Sequence, residues 1–253
     1  MTQRVVITGG ASGIGKRLAE RFAETGAHVA VCDADAQAVT EMAEAHPDMI
    51  VRQADVADAA QMEAFLSEVE AAFGGADVVC ANAGTGGPAG LIEDLDYQAW
   101  QDCIAVNLHG AFLTCRWAAR VMRAQGDGLI VITTSTSGQW GHPYRAPYSS
   151  AKWALVGLTK TLAMELGPAG VRVNAIAPGA VEGARMDRVV AMEAKASGKP
   201  EAEVRAQYVK GVSLRSWVSA DDLANTVLFL ASPAASKISG QVLNIDGHTE
   251  TLV

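Results

Sequence analysis

Thr8-Gly9-Gly10-Ala11-Ser12-Gly13-Ile14-Gly15 follows the apolar run Arg4–Thr8 (RVVIT) and leads into Ile14–Thr25, whose apolar residues recur at helical spacing. Such a strand, glycine turn and helix present main-chain N–H groups at a helix N-terminus. Glycine supplies the turn there and, lacking Cβ, lets a phosphate approach the backbone. The spacing is G-x-x-x-G-x-G (Gly9, Gly13, Gly15), not the G-x-G-x-x-G of the other dinucleotide fingerprint. A tight strand–helix turn alone would use the same glycines, so position carries the argument: first strand, first turn.

The same beat continues outward from this unit. His28–Cys32 (HVAVC), Met49–Gln53, Asp77–Ala81, Gly128–Thr133, Val171–Ala177 and Gln241–Ile245 read as further short strands. Helical patterns lie between them, at 34–45, 59–73, 97–125, 148–167 and 220–231. Mostly apolar strands separated by helices predict an α/β, doubly wound, mostly parallel sheet of seven strands with helices on both faces. No linker or composition break interrupts residues 1–253, so one domain is expected. One stretch departs from the pattern. Residues 180–217 hold two helical patterns (182–197 and 200–210) and no strand, which is long for a connection and predicts a substrate-binding insertion or lid.

Composition narrows the function classes. With 20 Lys+Arg against 28 Asp+Glu the net charge is −8, which argues against nucleic acid as partner because phosphate backbones need clustered cations. No apolar run approaches the roughly 18 residues of a membrane span, and a strand at Arg4 leaves no room for a signal peptide. Cys32, Cys80, Cys103 and Cys115 have no ligand or disulfide spacing, and the five histidines are scattered; no metal site and a reducing, cytoplasmic setting are expected.

Three positions carry chemistry. Asp33 ends the second strand, about 20 residues beyond the glycine turn, where a carboxylate accepts both adenosine ribose hydroxyls and repels a 2′-phosphate. No Arg or Lys stands at Ser12 or just after Asp33, so the cofactor expected is NAD. Asp55-Val56 and Asn82-Ala83-Gly84 sit at the ends of the third and fourth strands, on the edge where doubly wound sheets bind ligands. Tyr148 and Lys152 are four apart and share a helix face, so an ammonium there lowers a phenol's pKa toward acid–base use. With 4 Tyr and 7 Lys in 253 residues, about 0.1 chance Tyr-x-x-x-Lys matches are expected. Ser135 ends the fifth strand, 13 residues before Tyr148.

Together these motifs resemble the short-chain dehydrogenase/reductase family in its single-domain form of Rossmann type. The likeness runs through Thr8–Gly15, Asp55-Val56, Asn82-Ala83-Gly84, Asn107 in Val106–Gly110, Ser135, Tyr148/Lys152, Asn174–Gly179, Ile238-Ser239-Gly240 and Asp246-Gly247. It departs at Ala81, Thr134 and His248, none of which is a catalytic position of the pattern. The resemblance implies that Tyr148 exchanges a proton with an alcohol or carbonyl and that Lys152 lowers its pKa and holds the nicotinamide ribose. It further implies that Ser135 hydrogen-bonds the substrate oxygen, Asn107 holds a relay water, and Pro178-Gly179 with Val181 line the nicotinamide pocket. Gly9, Ser12, Gly13, Ile14 and Gly15 would hold the pyrophosphate. The family also implies a homotetramer or dimer through the long helices.

For the substrate, Gln139, Trp140, His142 and Arg145 are expected to border the pocket, with Arg185 from the insertion, whose seven basic and five acidic residues hint at an anion-attracting lid. The leading expectation is an NAD-dependent oxidoreductase for the secondary alcohol or ketone of a small polar substrate, anionic or polyhydroxylated. The rival readings are an NADPH-dependent 3-oxoacyl-type ketoreductase and a catalytically silent NAD-binding regulator.

Overall fold

The structure is a computed structural model describing residues 2–249. Seven strands, β1 (Arg4–Thr8), β2 (His28–Asp33), β3 (Ile50–Gln53), β4 (Val78–Ala81), β5 (Gly128–Thr133), β6 (Val171–Pro178) and β7 (Val242–Ile245), form one sheet in the order β3-β2-β1-β4-β5-β6-β7. Every pairing is parallel. The order reverses between β1 and β4, so the chain splays apart there and opens a crevice above the carboxyl ends of the strands.

Alternate strand residues face opposite helical layers, as the period of two requires. Val6, Val79, Ile130 and Val173 pack with α3 (Ala59–Phe73), α5 (Gly110–Gln125) and α6 (Ala146–Leu166), through Phe65, Trp117 and Leu155. Val5, Val78, Leu129 and Ile176 pack with α1 (Gly13–Glu24), α2 (Ala36–Ala45) and α9 (Ala220–Ala231), through Phe22, Met42 and Leu223. Helix starts follow local capping chemistry: Asp35 accepts from the N–H groups of Gln37 and Ala38, Asp58 from Ala60 and Gln61, and Ser219 forms a capping box with Asp222.

The helical pattern at 97–125 divides. α4 (Tyr97–Ile104) and α5 are joined by a π segment, Ala105–His109, in which the Gly110 N–H bonds the Ala105 carbonyl five residues back. The extra residue turns Asn107 inward, where it is wholly buried. The insertion is α7 (Ala184–Ser197) and α8 (Glu201–Lys210), which pack on each other through Val190, Ala194 and Val204 over the crevice end of the sheet. No described helix is long and apolar enough to cross a membrane.

Asn174 ties the last crossover to the sheet. Its side chain is fully buried, donates to the Ile238 carbonyl at 2.8 Å and accepts from the Gln241 N–H at 3.1 Å. Asn174→Ala leaves both backbone groups unanswered and is expected to cost about 2 kcal/mol, read as a lower urea midpoint at unchanged slope. An unchanged midpoint would show that the tie does not hold β7.

Candidate active site

A cavity of about 700 Å³ runs along the crevice from the end of β2 to the insertion. At one end the glycine turn forms a cradle that has no room for side chains at Gly9 or Gly15. A Cβ on Gly15 would stand 1.9 Å from the Gly9 carbonyl oxygen, and one on Gly9 would meet the Ala83 Cα at 2.8 Å. Gly9 and Gly13 also take positive φ, of 62° and 51°. Asn82 pins this turn from the neighbouring strand, donating to the carbonyls of Thr8 and Gly9 at 3.2 Å each and accepting from Thr133 Oγ1 at 3.1 Å. α1 starts at Ser12 with no side-chain cap and no acid in its first turn, leaving its first N–H groups for an anion.

Beside the cradle, Asp33 accepts from the N–H groups of Ala11 and Asp35, both at 3.2 Å. Asp35 and Asp55 line the same end, and among the described residues no Lys or Arg does so. These donors and acceptors fit a dinucleotide: amides and a helix N-terminus for the pyrophosphate, a carboxylate for the ribose. Asp55 spends one carboxylate oxygen on the Ala57 N–H, and Val56 presses against Gly110, where a Cβ would come within 2.6 Å of it.

At the other end stand Ser135, Tyr148 and Lys152. Pro147 lies in the first turn of α6, and Tyr148 and Lys152 lie one turn apart on its inner face. Gly138 admits the helix, since a Cβ there would fall 2.8 Å from the Lys152 carbonyl oxygen. Lys152 is 2% exposed, and its Nζ donates to the Thr133 carbonyl at 2.8 Å while lying 5.6 Å from the Tyr148 ring centre. Burial pushes the ammonium down to about 8. Burial also pushes the Tyr148 phenol up, but the charges of Lys152, Arg185 and Arg145 and the Ser135 hydrogen bond outweigh it, leaving the phenol below its ordinary value.

Asn107 stands behind Gly84, its Oδ1 2.7 Å from where a Cβ on that glycine would lie. Its Nδ2 donates to the carbonyls of Cys103 and Thr85 at 2.9 and 3.0 Å, whereas Oδ1 is a buried acceptor with no partner among the described residues. Gly84, Pro178, Gly179 and Val181 line the cavity between cradle and phenol, with Ala83, Ile14 and Val56.

The expected substrate residues divide. His142, Arg145 and Arg185 line the cavity; Gln139 and Trp140 do not. A short 3-10 turn at Thr136–Gly138 swings the chain outward, so Gln139 exchanges hydrogen bonds with Asn244 and Trp140 is largely exposed. Arg145 is no free anion contact: it is 2% exposed and paired with Glu193 at 3.0 Å. Ser137, Arg188 and Tyr208 also reach the cavity and have no local sequence signal.

A family model described as Enoyl-(Acyl carrier protein) reductase matches residues 9–248. The chain belongs to the short-chain dehydrogenase/reductase family. A 3-oxoacyl-[acyl-carrier-protein] reductase FabG of Staphylococcus aureus is 36% identical over 252 residues, 98% of each chain. An NAD+-bound xylitol dehydrogenase superposes with a TM-score of 0.91 at 29% identity, covering 97% of this chain and 98% of that one. The sorbitol-6-phosphate 2-dehydrogenase SrlD from Erwinia amylovora gives 0.90 at 30% identity, covering 96% and 98%. As a short-chain dehydrogenase/reductase, the protein is an oxidoreductase of hydroxyl and keto groups that binds a nicotinamide cofactor.

Gly15→Ala should weaken dinucleotide binding by at least about tenfold, or ~1.4 kcal/mol, in calorimetric titration, with the far-ultraviolet circular dichroism of the wild type. Unchanged affinity would show that the cradle is not the pyrophosphate seat.

Proposed function

We propose that the protein is an NAD-dependent oxidoreductase interconverting the secondary alcohol and ketone of a small polar substrate. The observation that carries this reading is the buried Lys152 beside the Tyr148 phenol, at the far end of one cavity from the glycine cradle and Asp33. Bound NAD supplies the hydride acceptor, or as NADH the donor, at the substrate carbon.

The chain's own groups handle the proton and the position. Ser135 and Tyr148 hold the substrate oxygen, and the phenolate takes the hydroxyl proton in the oxidative direction; the phenol returns it in reduction. Lys152 draws the Tyr148 phenol below its ordinary value and holds the nicotinamide ribose. Asn107 Oδ1, the unpartnered acceptor beside Gly84, holds the water that passes the proton outward. Fixing the reacting groups in one geometry supplies much of the rate.

NAD is favoured over NADP by the three carboxylates of Asp33, Asp35 and Asp55 at the adenosine end. The reading as an NADPH-dependent ketoreductase draws on the FabG relative and on the similar structure of actinorhodin polyketide ketoreductase with NADPH. For the substrate, Arg185 and Arg188 line the catalytic end without an ion pair among the described residues, which favours an alcohol bearing a carboxylate or phosphate. The phosphorylated polyol named for SrlD is in keeping with that. The exposed Phe112 of α5 and Trp153 and Met164 of α6 favour a homotetramer built on these helices.

The test is a panel of neutral and anionic secondary alcohols with NAD and with NADP, followed by reduced-nicotinamide absorbance. Turnover with NAD, higher kcat/KM for an anionic alcohol, and a loss of about 10²–10⁴ in kcat for Tyr148→Phe with NAD affinity kept are expected. Preference for NADP, or NAD binding without turnover across the panel, would contradict the reading.

A further inference from the structure

Arg145 is the largest fully buried side chain of the described residues. It immediately precedes α6, three residues before Tyr148, and its guanidinium carbon lies 4.9 Å from the Tyr148 ring centre. Nη2 donates to the Gly86 carbonyl at 2.9 Å and Nη1 to Glu193 Oε1 at 3.0 Å. Glu193, itself 6% exposed, comes from α7 of the insertion, 48 residues away. Its other oxygen accepts from Tyr208 Oη of α8 at 2.7 Å, and Oε1 lies 3.5 Å from His142 Nε2. His142 Nδ1 meets Ser137 Oγ at 2.8 Å, closing a chain of polar groups from the loop before α6 to both insertion helices.

An isolated buried guanidinium is strongly unfavourable, and so is an isolated buried carboxylate, so neither group stays where it is without the other. The pair therefore holds the insertion on the catalytic loop. It also sets the charge that Tyr148 meets, because the cation touches the ring and the anion stands behind it. We propose that Arg145 and Glu193 are positioning residues forming a buried latch, which seats the insertion over the substrate chamber and, by offsetting one charge with the other, sets the acidity of Tyr148. This deepens the reading of Tyr148 as the proton-transfer group and rests on it.

The other groups facing Tyr148 keep their identity in the latch variants, although Tyr208 is itself bonded to Glu193. They are Lys152 on its own helix, Ser135 at the end of β5, Arg185 on α7 and Tyr208 on α8, with Cys103 of α4 beyond Lys152. Burial, with the charge of Arg145, pushes His142 down to about 4, so it is neutral across the range of interest. Burial pushes the Cys103 thiol and the Tyr208 phenol up.

Removing the anion leaves the cation unopposed at the ring, and removing the cation does the reverse; an opposite charge at this range moves a pKa by about a unit or more. The experiment is a phenolate difference titration of the full-length protein against its Tyr148→Phe variant, without cofactor, followed by the pH profile of NAD-linked alcohol oxidation. Glu193→Gln is expected to lower the Tyr148 midpoint, Arg145→Met to raise it, and Arg145→Lys to return it toward wild type. The half-rise of kcat/KM moves in the same directions. Midpoints that stay put, or that move the same way for both charge removals, would overturn the proposal and leave the pair a structural contact only. If Arg145→Met does not fold, Glu193→Gln decides alone, with a downward shift supporting the latch and no shift or an upward one overturning it. The titration needs no turnover, so absence of NAD reduction in the wild type would defeat the oxidoreductase reading by a separate signal.

Discussion

The bond from Lys152 Nζ to the Thr133 carbonyl is the constraint around which the site is built. An ammonium with 2% exposure has lost its water, and only fixed acceptors and a nearby anion or dipole make its charged form tolerable. The Thr133 carbonyl is free to serve because β5 ends there, and Thr134 Oγ1 returns the attachment by donating to the Lys152 carbonyl at 2.8 Å. The end of the central sheet and the middle of α6 are thus locked in register. Tyr148, one turn earlier, inherits its position from that lock, and its phenol is pulled below the ordinary range chiefly by the same ammonium, against burial.

The cavity that results is divided electrostatically along its length. Asp33, Asp35 and Asp55 face it under β2 and β3, whereas Lys152, Arg145, Arg185 and Arg188 face it at the other end, with Glu182 at the rim and Glu193 behind Arg145. In a chain of net charge −8 this basic end is a local exception. Carboxylates at one end and guanidiniums at the other give the two ends of the cavity opposite potentials. The glycine cradle lies beside the carboxylate end, offering backbone N–H groups of no net charge.

Much of the fold was legible because it rests on local signals. Parallel strands buried on both faces read as apolar runs, and helical spacing of apolar residues marks the segments between them. The break between α4 and α5 was not legible, because the apolar spacing of 97–125 is nearly continuous across a π segment that adds one residue to a turn. The residues at the glycine turn, Tyr148 and Lys152 announced themselves by spacing, while Asn107 entered only through family resemblance, since a lone Asn in a helical stretch has no signal of its own. Arg145 borders the cavity as expected, but its pairing with Glu193 has no local signal, because the partner lies 48 residues on and only the docking of the insertion brings the two together. Gln139 and Trp140 were misplaced because a short 3-10 turn redirects the chain just before them.

The central claim is that Lys152 makes Tyr148 an acid–base group, and its most direct measurement is the pH dependence of alcohol oxidation in wild type and Lys152→Met at saturating NAD. Oxidation needs the phenolate, so the rate rises with pH through the Tyr148 midpoint, which in the wild type lies below the ordinary phenol value of about 10. Loss of the ammonium should carry that rise upward toward the ordinary value while lowering the rate near neutrality. A rise at the same pH in both proteins would contradict the account.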